Sequence, residues 1–143
     1  MLVKVYLGGR VGLMQGVVNL DSTNVGCILV KQGSTFISDE EVLYLADFTD
    51  LKEFDSSNYV RKFLASTTIT PDWDRDKAIF TAVNPIWLVL EDDDFPIVGM
   101  IIYMHNGAEN ANIPIYGYQL NTPINPGAED YEFPFSENGI SEL

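Results

Sequence analysis

Apolar residues along this chain come in short runs separated by turn-forming residues, a pattern that predicts strands rather than long helices. The run Val25 to Lys31 is rich in β-branched residues, and the stretch Tyr59 to Thr70 ends in Ser66, Thr67, Thr68, Ile69 and Thr70, which favour the pleated sheet. Pro71, Asp72, Trp73, Asp74, Arg75 and Asp76 supply turn chemistry before Ala78 to Val83, so these two segments are expected to pair as a β-hairpin. Asn84 and Pro85 then break the chain before Ile86 to Leu90, and the acids Glu91 to Asp94 break it again before Ile97 to Met104. Neither apolar segment alternates, as expected of strands covered on both faces, although a short buried helix has the same pattern. Ile113 to Leu120 is the last clear strand. The spacing predicts a mainly β fold, an antiparallel β-sandwich or jelly-roll-like single domain over residues 1–143.

One short helix is expected among the strands. Ser38, Asp39, Glu40 and Glu41 fit a capping box, and Val42, Leu45 and Ala46 follow as a narrow apolar stripe. The tail from Asn121 to Leu143 contains Pro123, Pro126 and Pro134 and alternates Tyr131, Phe133 and Phe135 with acids. It is expected to form an extended arm or an edge strand, because its aromatics need a surface to cover.

Composition sharpens this picture without changing it. The chain has 143 residues, 46% of them hydrophobic, enough for a conventional core without a disulfide or metal staple. Its one cysteine, Cys27, lies in the first apolar run and is expected to be a buried thiol. Met1 to Leu7, broken by Gly8 and Gly9, is too short for a signal segment, and no stretch reaches the length of a membrane helix. A soluble protein made in a reducing cytoplasm is expected, with no membrane partner.

Net charge is -13, from 21 acids and 8 bases, and no base occurs after Lys77. Such a chain repels phosphate, so no nucleic-acid partner is expected, and a basic protein surface or solvent is the natural neighbour.

Candidate chemistry is thin. Asp72, Asp74 and Asp76 open like a calcium loop, but Lys77 and Val83 stand where glycine and glutamate are needed. Asp92, Asp93 and Asp94 read as a turn, or as part of a divalent-ion site should a neighbouring loop supply more oxygens. His105 is the only histidine, and neither a zinc spacing, a Gly-x-Ser-x-Gly elbow nor a Gly-rich phosphate loop occurs. No catalytic residue, metal ligand or cofactor is expected, and the chain is expected not to be an enzyme.

The order of features resembles a group of small virion structural proteins of tailed bacteriophages. Gln15 to Asp21 is similar to their lead into the first core strand, Ile28 to Lys31 to that strand, and Tyr44 to Asp47 falls where they carry a helix. Tyr59, Ala78 to Ala82, Trp87, and Ile97 to Tyr103 match their long strand, its return, their tryptophan and their central strands. Gly139, Ile140 and Leu143 resemble their ending. The likeness covers nearly the whole chain and rests on pattern, with no catalytic signature. It departs at the N-terminus, where such proteins carry an amphipathic helix and this chain has Gly8, Gly9 and Gly12, each costing about 1 kcal/mol in a helix.

The resemblance implies a capsid decoration, or cement, protein on the outside of the virion, assembled in the host cytoplasm. It implies a homotrimer that binds the major capsid protein across subunit junctions. Val3, Val5, Tyr6, Tyr131, Phe133 and Phe135 are the expected contact residues. The alternatives are a tail, baseplate or fibre component, and a carbohydrate-binding sandwich that stacks sugars on Trp73, Tyr116 and Tyr118.

Overall fold

The computed structural model describes residues 1–134 and, beyond them, the backbone of residues 141–142. In chain order the elements are β1 (Leu2–Val5), α1 (Leu7–Gln15), β2 (Val25–Lys31), a 3-10 turn (Leu45–Asp47), β3 (Lys62–Phe63), β4 (Ala65–Asp72) and β5 (Lys77–Val83). They continue with β6 (Ile86–Leu90), β7 (Ile97–Met104), β8 (Ile113–Ile124), β9 (Glu129–Glu132) and β10 (Ser141–Glu142). The strands form a five-stranded sheet β1-β8-β7-β2-β3, a three-stranded sheet β10-β5-β4 and a ribbon β6-β9. All pairings are antiparallel, so the expected mainly β, sandwich-like architecture is the one observed.

The large sheet is buried on both faces because β2 and β7 carry apolar residues at successive positions. Val25, Cys27 and Leu29 with Met100, Ile102 and Met104 face one core, joined there by Phe80 of β5, Trp87 and Leu90 of β6, Tyr131 of β9 and Phe133. Ile28, Val30, Ile101 and Tyr103 face the other, closed by Tyr6, Phe36, Val42, Leu45 and Phe48. Each such side chain contributes about 1.5–3 kcal/mol by leaving water. The first core draws on all three sheets, so they are stabilised as one unit. The expectation of two covered faces holds for β7 but not for β6, where Trp87 and Leu90 are buried and Ile86, Leu88 and Val89 are exposed.

The helix is not where the capping box places it. Ser38 Oγ donates to the Thr35 carbonyl at 2.9 Å, and Asp39 accepts bonds from the Thr35 hydroxyl and the Thr49 amide, so this segment forms a strap of turns. Its carbonyls serve another element: Leu7 N donates to Glu40 O and Gly8 N to Val42 O, both at 2.9 Å, which satisfies open donors at the start of α1. The α1 stretch holds the very glycines that count against a helix by propensity. Gly8, Gly9 and Gly12 are its buried residues, and a Cβ added to any of them would strike Leu43, Ile115 or Val18 respectively. The propensity cost is outweighed by the close approach of helix, strap and sheet. Gly16 then ends the helix at φ 76°, its amide donating to the Gly12 and Leu13 carbonyls.

Of the two forms expected for the tail, its described part takes the strand. β8 runs on to Ile124, and β9 pairs with β6 through Ile86↔Glu132 and Trp87↔Tyr131. Phe133 N donates to Pro85 O at 3.1 Å, and β10 pairs with β5. Alternation of aromatics with acids in the tail is therefore the period of a strand with one inward face.

Candidate functional site

The structure separates the five expected contact residues that it describes. Val3 lies on β1, an edge strand of the large sheet, and is 39% exposed; Val5 on the same strand is half-buried. Tyr6 is fully buried, donating its hydroxyl to Phe36 O at 2.8 Å and meeting Phe48 edge-on at 5.2 Å. Burial and the nearby carboxylates of Asp39 and Glu40 push its phenol well above the ordinary range. Tyr131 is 7% exposed and Phe133 fully buried, so neither is a contact on an arm. Phe135 lies outside the described residues. Of the three sugar-stacking candidates, Tyr116 and Tyr118 are core residues, and Trp73 alone is open, 86% exposed at the hairpin tip.

Cys27 is buried as expected, and burial pushes its thiol up to about 12. Among the described residues no group of three or more His, Cys, Asp or Glu side chains converges to hold a metal ion. No described helix is long and apolar enough to cross a membrane.

Two ionic clusters, neither visible in the sequence, tie loops to the large sheet. Arg61 grips Glu53 through Nε and a terminal nitrogen at 2.8–3.2 Å, reaches Glu109 at 2.6 Å and lies over the Tyr103 ring at 5.6 Å. Tyr59 donates to Glu53 at 2.8 Å and accepts the Leu29 amide at 3.1 Å, which fixes the loop against β2. In the second cluster Lys31 Nζ bridges Asp93 at 3.0 Å and Asp94 at 2.8 Å, while Asp93 accepts the Asp55 amide and Asp92 the Gly127 amide. The acidic turn is thus an anchor for neighbouring loops.

That anchor has a pH signature. Burial opposes ionisation of Asp93, but the amides of Asp55 and Asp94 and the Lys31 ammonium outweigh it and hold the carboxyl down at about 2. A depressed folded-state value gives stability that is present above the unfolded-state value, roughly 3.9, and is lost as pH falls toward the folded one. Asp93→Asn is therefore expected to flatten the loss of stability between about pH 4 and pH 2, measured by urea unfolding across that window. An unchanged slope would show that Asp93 is not a source of the acid sensitivity.

Among the described residues, two of the surfaces that carry exposed apolar side chains are strand pairs. The β4–β5 hairpin is largely exposed, with Phe80 as its one buried residue and Ile69, Trp73 and Val83 exposed. The β6–β9 ribbon carries a bulge: Trp87 opposes Tyr131 and Leu90 opposes Glu129, so Leu88 and Val89 together face Asp130. Val89 takes φ 48°, a left-handed conformation that costs a β-branched residue about 1–3 kcal/mol. Its amide donates to Asp130 Oδ1 at 2.8 Å and its carbonyl accepts from Asn58 Nδ2 at 2.7 Å, so side chains on both sides lock the strained residue. Leu88 is left 69% and Val89 54% exposed.

Set against protein-family models, curated proteins and solved structures, the chain matches none.

Proposed function

We propose that this protein is a structural component of a tailed-bacteriophage particle, a decoration protein that attaches as a trimer to the outside of the capsid and stabilises the DNA-filled head. The observation that carries the proposal is the largely exposed β4–β5 hairpin, which leaves Ile69, Trp73 and Val83 open to solvent. Together with the whole-chain resemblance to small virion proteins, it supports a body that rests on a shell and an arm that spans a junction between shell subunits. Attachment would stabilise the assembled state alone, because only the intact shell presents both halves of the junction. The remaining exposed apolar residues of the edge strand β1, Leu2 and Val3, fit contact with a neighbouring copy.

The test is heat release of DNA from particles made with and without the protein. Particles lacking it are expected to assemble and to lose DNA at lower temperature, and adding the purified protein back is expected to restore the intact behaviour. Depleted particles as heat-resistant as intact ones, or protein found only in the tail of purified particles, would overturn the proposal.

A further inference from the structure

We infer that the outward face of the β6–β9 ribbon, centred on the bulge at Leu88 and Val89, is the surface on which the body of the protein rests when it docks, and that its occupant is a patch of the capsid shell with an apolar hollow rimmed by lysine or arginine. The inference rests on the proposal that the protein attaches to a shell.

Three observations converge on this face. The strand pair turns Trp87 and Tyr131 into the core, so Ile86 and Leu88 point outward from one strand and Asp130 and Glu132 belong to the outward register of its partner. Ile86, Leu88 and Val89 are all exposed, which makes a local apolar patch where the rest of the β6 pattern is satisfied by burial. The bulge is held in a costly conformation by Asn58 and Asp130, although an unbulged strand would avoid that strain.

The rim determines the occupant. Asp130 and Glu132 lie on β9 in the outward register, Glu91 and Asp92 follow β6, and the chain has no base anywhere after Lys77. A second copy would set this acidic rim against itself, whereas a basic shell surface would complement it and speed docking.

The test uses depleted particles as the probe and measures attachment of purified protein by co-sedimentation. Leu88→Asp adds a charge at an exposed position, so folding should be retained while attachment weakens by more than about tenfold. Glu132→Lys should weaken attachment, and wild-type attachment should weaken as salt is raised. Val89→Gly relieves the left-handed strain, so its melting temperature should not fall, yet it removes an apolar contact and should weaken attachment. Met14→Asp, at a 90% exposed position on α1, should attach as the wild type does. Wild-type attachment with an equally competent Leu88→Asp variant would overturn this face as the docking site and leave the attachment proposal standing. Failure of the wild type to attach would overturn both. Self-association of the free protein that Leu88→Asp abolishes would give the face to a second copy and overturn the shell as its occupant.

Discussion

Phe133→Ala is expected to destabilise the fold by about 3–5 kcal/mol, and a chain ending before Asp130 is expected not to fold. Phe133 is fully buried in the core shared by all three sheets, where its ring meets Tyr118 edge-on at 6.2 Å. Its truncation removes apolar contacts and leaves a cavity between the ribbon and the large sheet, beside a backbone held by the Phe133 N to Pro85 O bond. Ending the chain before Asp130 goes further. It removes Tyr131, which lies 6.4 Å from the Trp87 ring, and takes away most of the partner strand of β6. The carboxylate that holds the strained Val89 amide goes with it. A loss of this size is a large share of the roughly 5–15 kcal/mol that holds a domain together. Urea unfolding followed by circular dichroism checks both variants. A truncated protein with a cooperative unfolding transition near that of the full chain would show that the tail is a separable arm after all.

The strands were legible because their signal is local. Val25 to Lys31, the hairpin around Asp72 to Asp76, Ile97 to Met104 and Ile113 onward each announce themselves by composition and by the turn residues beside them. What failed to show depends on contacts between distant residues. Propensity counts Gly8, Gly9 and Gly12 against a helix, yet they are required by Leu43, Ile115 and Val18, which lie elsewhere in the chain. A capping box describes Ser38 to Glu41 correctly as a set of donors and acceptors, but the carbonyls of Glu40 and Val42 are drawn to α1 and the hydroxyl of Ser38 to Thr35. The tail aromatics carried the period of a half-buried strand, and alternation alone does not say whether the inward face meets this chain or another. For the candidate surface the gap is wider. Leu88 and Val89 read as core because nothing in Ile86 to Leu90 marks a bulge, and the two residues that lock it, Asn58 and Asp130, are 31 and 41 positions from Val89.

Gly9→Ala should test the helix placement most sharply, because helix propensity and packing predict opposite signs. In an isolated helix the change is favourable by about 1 kcal/mol. Here the new methyl would sit 2.8 Å from Ile115 Cα and 3.1 Å from Ile115 Cγ2. Ile115 belongs to β8, which is paired on one side with β1 and on the other with β7, and its carbonyl already accepts the Tyr6 amide. The sheet therefore offers a rigid wall. The helix has no room to retreat, because its first amides are bonded to the strap at Glu40 and Val42, and Gly8 is pressed against Leu43 on that side. Overpacking between two such fixed layers costs about 1–3 kcal/mol, enough to reverse the propensity gain and leave Gly9→Ala less stable than the native chain. Gly16→Ala separates the two effects, since nothing lies within 4 Å of its added methyl and only the φ of 76° is strained. It should cost about 1 kcal/mol from backbone strain alone. Thermal or urea unfolding of the two variants side by side gives the answer. A Gly9→Ala protein more stable than the native one would mean that α1 stands clear of β8, and that the apolar residues of β1, held at the sheet edge just before it, are not fixed for contact with a neighbour.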